Sequence, residues 1–351
     1  MNGSPSYTNN IGIGRIISFI VVLIVVFIIY VIRLISLQIV EGADWAAQAD
    51  DNRTQYINLP APRGIIYDRN GFVLARNIAS YNIVITPVEL PDDLGEQQEV
   101  FRKLSPLIDL PVSRGELSDA TPYVECISEQ GIIQIVEYGQ TNHPYSPVKV
   151  KCDVDPQMAM VVQERAIDMP GVGVEVVPIR DYPTGSLTSA VVGYLGPISE
   201  RNEAFYTDLG FQANRDKVGY AGVEVAFQDL LGGKNGRRVV ERDIGGQVIR
   251  DLEAPQLAQP GLNLRLTIDT RLQSAAEAIL ADEINSWNKY FGEERMTSGV
   301  VIAINPQTGE ILAMISYPAY ENNRMARFIP AYYYNQLASD PRTPLLNHAV
   351  G

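Results

Sequence analysis

An uncharged apolar run near the N-terminus constrains this chain more than any other feature. From Ile16 to Ile32 the sequence reads IISFIVVLIVVFIIYVI, without one charged side chain. A helix of about 20 such residues crosses the hydrocarbon core of a bilayer. Arg15 and Arg33 bracket the run, so their long side chains can reach the two interfaces. We therefore predict one membrane-spanning helix, which with its exit occupies residues 16–40.

A cleaved signal peptide is the main alternative to a permanent anchor, and the sequence disfavours it. A signal peptide has a shorter apolar region with a small-residue cleavage site close behind it. The nearest A-x-A pattern, Ala47-Gln48-Ala49, lies well past the run. Flanking positive charges are too evenly divided to set the orientation. Because the tail before Arg15 is short and uncharged, we place residues 1–15 in the cytoplasm and the bulk of the chain outside.

Residues 41–260 read mostly as β-structure after a short polar helical stretch. Asn70-Gly71 between two apolar runs predicts a hairpin, and YNIVITP reads as a further strand. Residues of about 88–147 are more polar with a helical middle, and they read as an inserted subdomain. Residues 148–154 alternate apolar and polar side chains, which is typical of a half-buried strand. Asp155-Pro156 then begins a helix that we expect to reach about Met169.

The character of the chain changes at residue 261. LNLRLTID reads as a strand, and Asp269 or Thr270 caps the helix that follows. We expect the buried face of that helix to use an apolar stripe, which comprises Leu272, Ala275, Ala276, Ile279, Ile284 and Trp287.

Two nearly continuous apolar strands then flank a turn at residues 305–309. Strands that are apolar on both faces are typically covered on both faces, so we expect this hairpin to lie at the heart of a second domain. The fold class predicted for the whole chain is α+β.

Two S-x-x-K patterns raise the question of a nucleophilic serine, because this spacing occurs in serine enzymes that acylate on β-lactams and D-alanyl peptides. Ser146 begins the alternating strand, where Lys149 would point to the opposite face. Ser286 lies near the C-terminal end of its helix, where the dipole disfavours an alkoxide and keeps Lys289 protonated. We therefore predict no catalytic residue at either position.

Composition excludes several other classes. The net charge of −13 argues against a nucleic-acid partner. Cys126, Cys152 and His143 match no metal-ligand spacing, so we predict no metal site and no cofactor. If the bulk of the chain lies outside the membrane, the cysteines meet an oxidising compartment. The sequence leaves open whether the two cysteines form a disulfide in that compartment or stay as two free thiols.

Five segments carry a resemblance to one family, and we call them the signature segments. Together with the anchor they resemble the class B penicillin-binding proteins, which are bitopic D,D-transpeptidases of bacterial cell-wall synthesis. Elongation-type and division-type members share these segments, and we favour the elongation type. The signature segments are APRGIIYDRNGFVLARN at 61–77, IRDYPTGSLTSAVVGYLG at 179–196, GYAGVEVAFQDLLGGKNGRRVVERDIGGQVI at 219–249, LRLTIDTRLQSAAEAIL at 264–280 and GVVIAINPQTGEILAMISYPAYENN at 299–323.

The resemblance implies an elongated, non-catalytic pedestal over residues 41–260 and a transpeptidase domain from residue 261. In the family a serine acylates on a stem peptide and penicillin traps the acyl-enzyme. The implied partners are a SEDS-type glycosyltransferase and other elongation-complex membrane proteins, with stem peptides and β-lactams for the full-length protein. The sequence stops at Gly351, before the family's own S-x-x-K, S-x-N and K-T-G motifs, so we expect an N-terminal part of a longer protein.

Two readings compete with an enzyme. A natural stop would make the chain a non-catalytic membrane scaffold that regulates a SEDS-type glycan polymerase. A penicillin-sensing receptor usually has several spans, and one is visible here. Within the signature segments we expect structural roles, as ion pairs or turn formers, for Arg63, Asp68, Arg69, Arg180 and Asp181. Farther on, Tyr332-Tyr333-Tyr334 is expected to pack onto the second domain as a helix or loop.

Overall fold

The computed structural model describes residues 13–45, 53–118, 123–127, 129–142, 144–213, 215–242, 248–327 and 331–350. The chain divides into two compact units. One comprises Met1–Tyr56 with Val239–Glu253, and the other comprises Ile57–Arg238 with Ala254–Gly351. The predicted α+β class is confirmed.

The helices and strands alternate irregularly along the chain. The helices are α1 Ile13–Ile35, α2 Leu94–Ile108, α3 Ile132–Asn142, α4 Pro156–Arg165, α5 Ser189–Val192, α6 Glu203–Asp208, α7 Gly222–Ala226, α8 Gln228–Leu231, α9 Thr270–Phe291, α10 Asn322–Arg327 and α11 Ala331–Ser339. The strands are β1 Thr54–Leu59, β2 Ile66–Tyr67, β3 Val73–Ile85, β4 Val148–Val154, β5 Val172–Asp181, β6 Leu195–Pro197, β7 Lys217–Gly219, β8 Gly236–Arg242, β9 Val248–Asp251, β10 Leu264–Arg265, β11 Gly299–Ile304 and β12 Ile311–Tyr317.

The first unit contains the predicted anchor. Residues Ile17–Ile39 are long and apolar enough to cross a membrane, and none of them is buried by protein. Past α1 the helix continues through a π-helical turn, Ser36–Val40. Glu41 then binds Arg33 at 3.2 Å and also accepts hydrogen bonds from Ser36 and Trp45. Most of the expected 1–15 tail, and residues 46–52 of the expected helical stretch, lie outside the described residues.

A three-stranded sheet has the order β1-β8-β9. Strands β8 and β9 pair antiparallel, with Val240 opposite Asp251. Val239 and Val240 are buried.

The main sheet of the second unit has the order β10-β2-β3-β4, and β5 pairs with β3. The predicted hairpin at Asn70-Gly71 is confirmed, and Gly71 adopts the left-handed backbone that this turn requires. The prediction of separate strands after the turn is wrong, because β3 is one strand of 13 residues. Its polar middle interrupts the apolar pattern, and these side chains find partners on neighbouring elements, as in the Ser80–Asp153 hydrogen bond.

Strand β3 runs through two separate cores. Its N-terminal half supplies Leu74 and Ala75 to a core that also contains Ile66, Tyr182, Val192, Leu231 and Ala326. Its C-terminal half supplies Ile83 and Ile85 to a larger core formed with α2, α3, α4, β4 and the start of β5. Helices α2 and α3, which lie in the segment near 88–147, belong to this larger core.

Strand β4 and helix α4 follow the sequence expectation closely. Val148, Val150 and Val154 of β4 are buried, while Lys149 and Lys151 are only partly so. The Asp155 carboxylate caps α4 by accepting the Gln157 N–H at 2.8 Å. The helix proper ends at Arg165, and a 3₁₀ turn carries the chain to Asp168.

The strand expected from residue 262 is only two residues long. Leu264 pairs parallel with Ile66, so β10 extends the main sheet. The helix cap is Asp269, which accepts the N–H groups of Arg271 at 3.0 Å and Leu272 at 3.3 Å.

The expected buried face of α9 is wrong in part. Gln273 and Ile284 are buried, whereas Leu272, Ile279 and Trp287 are 39%, 65% and 47% exposed. Gln273 turns inward because it bonds both backbone groups of Met314 on β12, at 2.7 and 2.8 Å. This rotates the apolar stripe away from the hairpin.

The β11–β12 hairpin forms around the predicted turn, where Gly309 has φ +73° and its N–H donates to Asn305 at 2.8 Å. Val300, Ile302 and Ile304 are 37%, 43% and 56% exposed. The expectation that both faces are covered is therefore wrong for the described residues. Helix α9 covers one face, and nothing in the described part of the chain covers the alternate residues of β11.

Candidate functional site

Three signature segments meet in one buried ion-pair network. The Glu224 carboxylate on α7 lies 2.6 Å from Arg63 Nε and 2.8 Å from Arg180 Nε on β5. Arg63 also donates through Nη2 to the Glu224 carbonyl at 2.9 Å. The side chains of Arg63, Arg180 and Glu224 are only 7%, 1% and 0% exposed. The network thus joins the segment before β2 to β5 and α7.

Two further side chains complete this network. Asn77 Nδ2 donates to the Arg63 carbonyl at 2.6 Å, and Asn77 Oδ1 accepts from Arg180 Nη1 at 3.2 Å. The Tyr182 hydroxyl donates to Glu224 Oε1 at 3.4 Å. Burial, and secondarily the Glu224 carboxylate, raise the pKa of the Tyr182 hydroxyl well above its ordinary value. The phenol therefore remains a donor at physiological pH.

The electrostatics of the network favour a structural role. Two guanidinium groups face one carboxylate, and burial lowers the pKa of Arg63 while Glu224 opposes that effect. An arginine remains charged in proteins, so the network retains one net positive charge. Removing one partner of such a buried pair leaves an uncompensated charge and costs about 3–5 kcal/mol. The network therefore holds the three signature segments in fixed positions.

A pair of glycines allows α7 to approach closely enough to present Glu224. Gly193 has φ +82°, and a Cβ atom there would lie 1.9 Å from the Ala221 carbonyl oxygen. Gly222 has φ +57°, and its Cβ would lie 2.4 Å from the Val191 carbonyl oxygen. Both positions need glycine for conformation and for space. The G-Y-x-G patterns of two signature segments therefore have a direct steric cause.

The turn between β2 and β3 holds the start of α9. Asp68 Oδ1 accepts the N–H groups of Asn70 and Phe72, both at 2.8 Å. Asp68 Oδ2 accepts from Thr270 N at 3.2 Å and Oγ1 at 2.9 Å, and Asn70 donates to Asp269 at 3.0 Å. Burial alone would raise the pKa of Asp68, but these donors hold it below its ordinary value. The ionised carboxylate thus ties the turn to the helix N-terminus.

Helix α10 is fastened to the same region by asparagine side chains. Asn323 Oδ1 accepts the Tyr182 N–H at 2.8 Å, and its Nδ2 donates to the Tyr182 carbonyl at 2.9 Å. Asn322 Nδ2 donates to the Gly193 carbonyl at 3.2 Å. A side-chain amide therefore continues the hydrogen bonding of the chain just past β5.

The expected packing of the three consecutive tyrosines, on helix α11, is confirmed for Tyr333 and is wrong for the other two. Tyr333 on α11 is buried, and its hydroxyl accepts the Glu321 N–H at 3.0 Å. The Arg324 guanidinium lies 3.9 Å from the Tyr333 ring centroid. Tyr332 and Tyr334 are exposed.

The other charged signature residues form pairs and turns, as expected. Arg69 lies 3.8 Å from Glu310, and Arg76 Nε donates to Asp181 at 2.9 Å. These pairs are partly exposed, in contrast to the Glu224 network.

Ser146 lies in an exposed bend just before β4. Lys149, inside the strand, pairs with Glu125 at 3.1 Å and with Glu175 at 3.6 Å. Its ammonium group is thus engaged with acidic neighbours. The predicted strand forms, but it begins at Val148 and not at Ser146.

Ser286 and Lys289 are both exposed near the C-terminal end of α9. The absence of a catalytic serine from the whole chain remains a prediction.

Cys126 and Cys152 form a disulfide with Cα atoms 5.4 Å apart, which settles the alternative that the sequence left open. Their sulfurs are therefore not thiolate ligands for a metal. His143 lies outside the described residues. Among the described residues no group of three or more His, Cys, Asp or Glu side chains could hold a metal ion.

Sequence reasoning missed Glu224, Asn77 and Asn323. Glu224 lies in GVEVA, which resembles an ordinary helix with a solvent-facing acid. Its partners are 161 and 44 residues away in sequence, so no local pattern indicates burial. The signal that the sequence did offer was chemical. Two arginines in apolar signature segments require an acidic partner if they are buried.

Comparison with known proteins identifies relatives over most of the chain. It is 29% identical over 321 residues to peptidoglycan D,D-transpeptidase MrdA of Escherichia coli K12, covering 90% of this chain and 45% of the relative. MrdA of Salmonella typhimurium LT2 is 29% identical over 343 residues, covering 96% and 49%. Probable peptidoglycan D,D-transpeptidase PenA of Neisseria meningitidis is 27% identical, covering 85% and 43%. The chain spans about half the length of these relatives.

Solved structures share the fold. The Helicobacter pylori complex of penicillin-binding protein PBP2 with MreC contains a chain of 22% identity that matches with a TM-score of 0.60, covering 84% of this chain and 48% of that one. A peptidoglycan synthase complex described as coordinating polymerization and crosslinking matches with a TM-score of 0.58 and 27% identity, covering 96% and 52%.

These matches, together with a match to the model of a protein family, confirm the expected family. The apolar N-terminal helix and the homology to MrdA support a membrane protein, with a single span in the described part of the chain. The penicillin-binding protein dimerisation domain matches residues 58–266, more than half of the chain. Those residues include the Glu224 network and the Asp68 turn. The chain therefore belongs to the penicillin-binding proteins that carry this dimerisation domain.

Proposed function

We propose that this chain provides the membrane anchor, pedestal and first transpeptidase elements of an elongation-type class B penicillin-binding protein. The proposed divisions are 16–40 for the anchor and its exit, 41–260 for the pedestal and 261–351 for the start of the transpeptidase domain. The observation that carries this proposal is the buried Glu224 network. It fixes signature segments that are far apart in sequence into one base, and Asp68 attaches α9 to that base.

The activity proposed for the longer protein is peptidoglycan D,D-transpeptidation. A serine hydroxyl attacks the carbonyl carbon of the penultimate D-Ala of a stem peptide, and the terminal D-Ala leaves. An amine of a second strand then takes the acyl group and releases the serine. A β-lactam acylates the same serine. We assign none of these steps to a residue of the present chain, whose role is to hold the catalytic part on the membrane.

We place the bulk of the chain on the outer side of the cytoplasmic membrane. The disulfide supports this side, because disulfides form in oxidising compartments. The proposed partners are a SEDS-type glycosyltransferase and other elongation-complex membrane proteins. Support for them comes from fold similarity to a PBP2 chain solved with MreC and to a synthase complex.

Labelling with a fluorescent penicillin tests the proposal. The present chain should take up no covalent label, and the product of any longer reading frame through Gly351 should be labelled. Pre-treatment with an unlabelled β-lactam should abolish that signal. Label attached to Ser146 or Ser286 would contradict the assignment. A stop codon directly after Gly351, with no labelled product, would favour the non-catalytic scaffold instead.

A further inference from the structure

The Cys126–Cys152 disulfide joins two parts of the second unit that also meet through the packing of Tyr123 against Tyr138 and the larger core. It links segment 123–127 to strand β4, and both cysteines are partly exposed. Tyr123 donates to the Lys149 carbonyl at 2.8 Å, and Glu125 pairs with Lys149 at 3.1 Å. The exposed Glu125–Lys149 ion pair contributes little. At its cysteine, the segment is therefore tied to β4 mainly by the covalent bond.

The residue after Cys152 connects β4 to α10. Asp153 has φ +50°, an uncommon backbone conformation for a residue other than glycine. Its N–H donates to Asn82 at 3.0 Å and its Oδ1 accepts from Ser80 at 3.0 Å. Its Oδ2 lies 2.8 Å from Nη1 of Arg327, the last residue of α10. The conformation next to the disulfide, together with Asn82 and Ser80 of β3, thus places the Asp153 carboxylate against α10.

A second contact at the same end of α10 does not involve the disulfide. Lys217 Nζ donates to the carbonyls of Ala326 and Arg327. Besides the burial of Ala326 in the smaller core, the C-terminal end of α10 is held by one polar link from β4 and one from Lys217 of β7. Loss of the first should loosen α10 without releasing it.

We propose that the Cys126–Cys152 disulfide is a redox-sensitive brace, which a dithiol protein of the thioredoxin class opens to loosen the Asp153–Arg327 link to α10. One thiolate of the dithiol attacks one sulfur of the disulfide, and the S–S bond breaks to give a mixed disulfide and a protein thiolate. The second thiol of the partner then attacks the mixed disulfide. The protein gains two electrons and two protons as two thiols, and the partner becomes a disulfide.

Hydrogen exchange on the full chain in detergent, followed by mass spectrometry, tests this inference. Oxidised protein should take up no iodoacetamide, and protein treated with reduced thioredoxin should take up two equivalents. Reduction should raise exchange in β4 and raise exchange in α10 by about two- to five-fold, the size of one exposed ion pair. Exchange in α9 should not change.

Two variants distinguish loss of the Asp153–Arg327 link from a general loosening of the structure on reduction. Asp153→Asn in its oxidised form should show the increase in α10, and reduction should then add nothing there. Glu125→Gln, which loses the Lys149 pair and keeps the disulfide, is the matched control and should leave α10 unchanged.

Four results would overturn the proposal. They are two free thiols in the untreated protein, no reduction of the native disulfide by thioredoxin, equal α10 exchange in the two redox states, and an effect of reduction on α10 that persists in Asp153→Asn. Exchange that rises everywhere on reduction, including α9, would count against it as well, because the disulfide would then be a global staple.

Discussion

Two hairpins in the same unit have similar sequences and very different surroundings. The β2–β3 and β11–β12 hairpins both turn through a glycine of positive φ, Gly71 and Gly309. Ile66 and Leu74 of the first are fully buried, whereas alternate residues of β11 are exposed. The local pattern determines that a hairpin forms, and elements distant in sequence determine whether its faces are covered.

The polar groups around the two hairpins differ in the same way. The β2–β3 region includes the Glu224 network, in which three charges are almost fully buried. The turn of the β11–β12 hairpin makes the partly exposed pair between Glu310 and Arg69. Buried charges must be matched individually, while exposed pairs are worth about 0–1 kcal/mol. The first hairpin should therefore respond far more sharply to substitution.

The largest expected effect comes from removing the Glu224 carboxylate, which pairs with the two buried arginines near the β2–β3 hairpin. Glu224→Gln leaves two buried guanidinium groups without a carboxylate and should lower the free energy of unfolding by about 3–5 kcal/mol. Urea unfolding in detergent, followed by circular dichroism, measures this. Asp181→Asn, which breaks the half-exposed pair with Arg76, should cost less than about 1 kcal/mol. Equal losses in the two variants would remove the distinction between the regions.

A pair of matched truncations compares the two hairpins directly. Ile66→Ala opens a cavity in a closed core and should cost about 2–5 kcal/mol. Ile302→Ala removes a side chain that is 43% exposed and should cost less than about 1 kcal/mol. The same unfolding experiment applies to both. An Ile302 variant as unstable as the Ile66 variant would mean that β11 is covered in solution.

The smallest effect concerns the link between the first hairpin and α9. Asp68→Asn should cost about 1–3 kcal/mol at pH 7, because a charged acceptor for several N–H groups is replaced. The pKa of Asp68 is lower in the folded chain than its ordinary 3.8. Its contribution is therefore complete above about pH 4 and is lost as the pH falls through the folded-state value.

Unfolding midpoints at pH 7 and pH 3 test this dependence. The difference between the native protein and Asp68→Asn should shrink at the lower pH. Parallel curves for the two proteins would mean that Asp68 carries no charge-dependent link.

The sequence predicted elements whose evidence is local. Alternating valines identified β4, Asp155 and Asp269 identified helix starts, and Asn-Gly identified a hairpin. Strand β3 was divided in error because its polar middle is paired by neighbouring elements. The buried face of α9 was misassigned because Gln273 bonds β12. In both cases a polar side chain is satisfied by a partner that only the folded chain brings near.

Among the charged residues of the Glu224 network, the sequence predicted the two arginines and not the acid. Arg63 and Arg180 were expected to form ion pairs, but their common partner Glu224 carries no sequence signal for burial. A tally of charges within apolar segments would have required an acid without identifying it. Long-range pairing of this kind is specified by the fold.

The continuity of β3 has a consequence for how the second unit unfolds. One strand supplies Leu74 and Ala75 to one core and Ile83 and Ile85 to another. A slip of one residue along β5 would exchange inward and outward side chains over its whole length. Strand β3 therefore cannot shift its register in one core without disrupting the other core. The two cores should lose their structure in a single cooperative transition, despite sharing no helix.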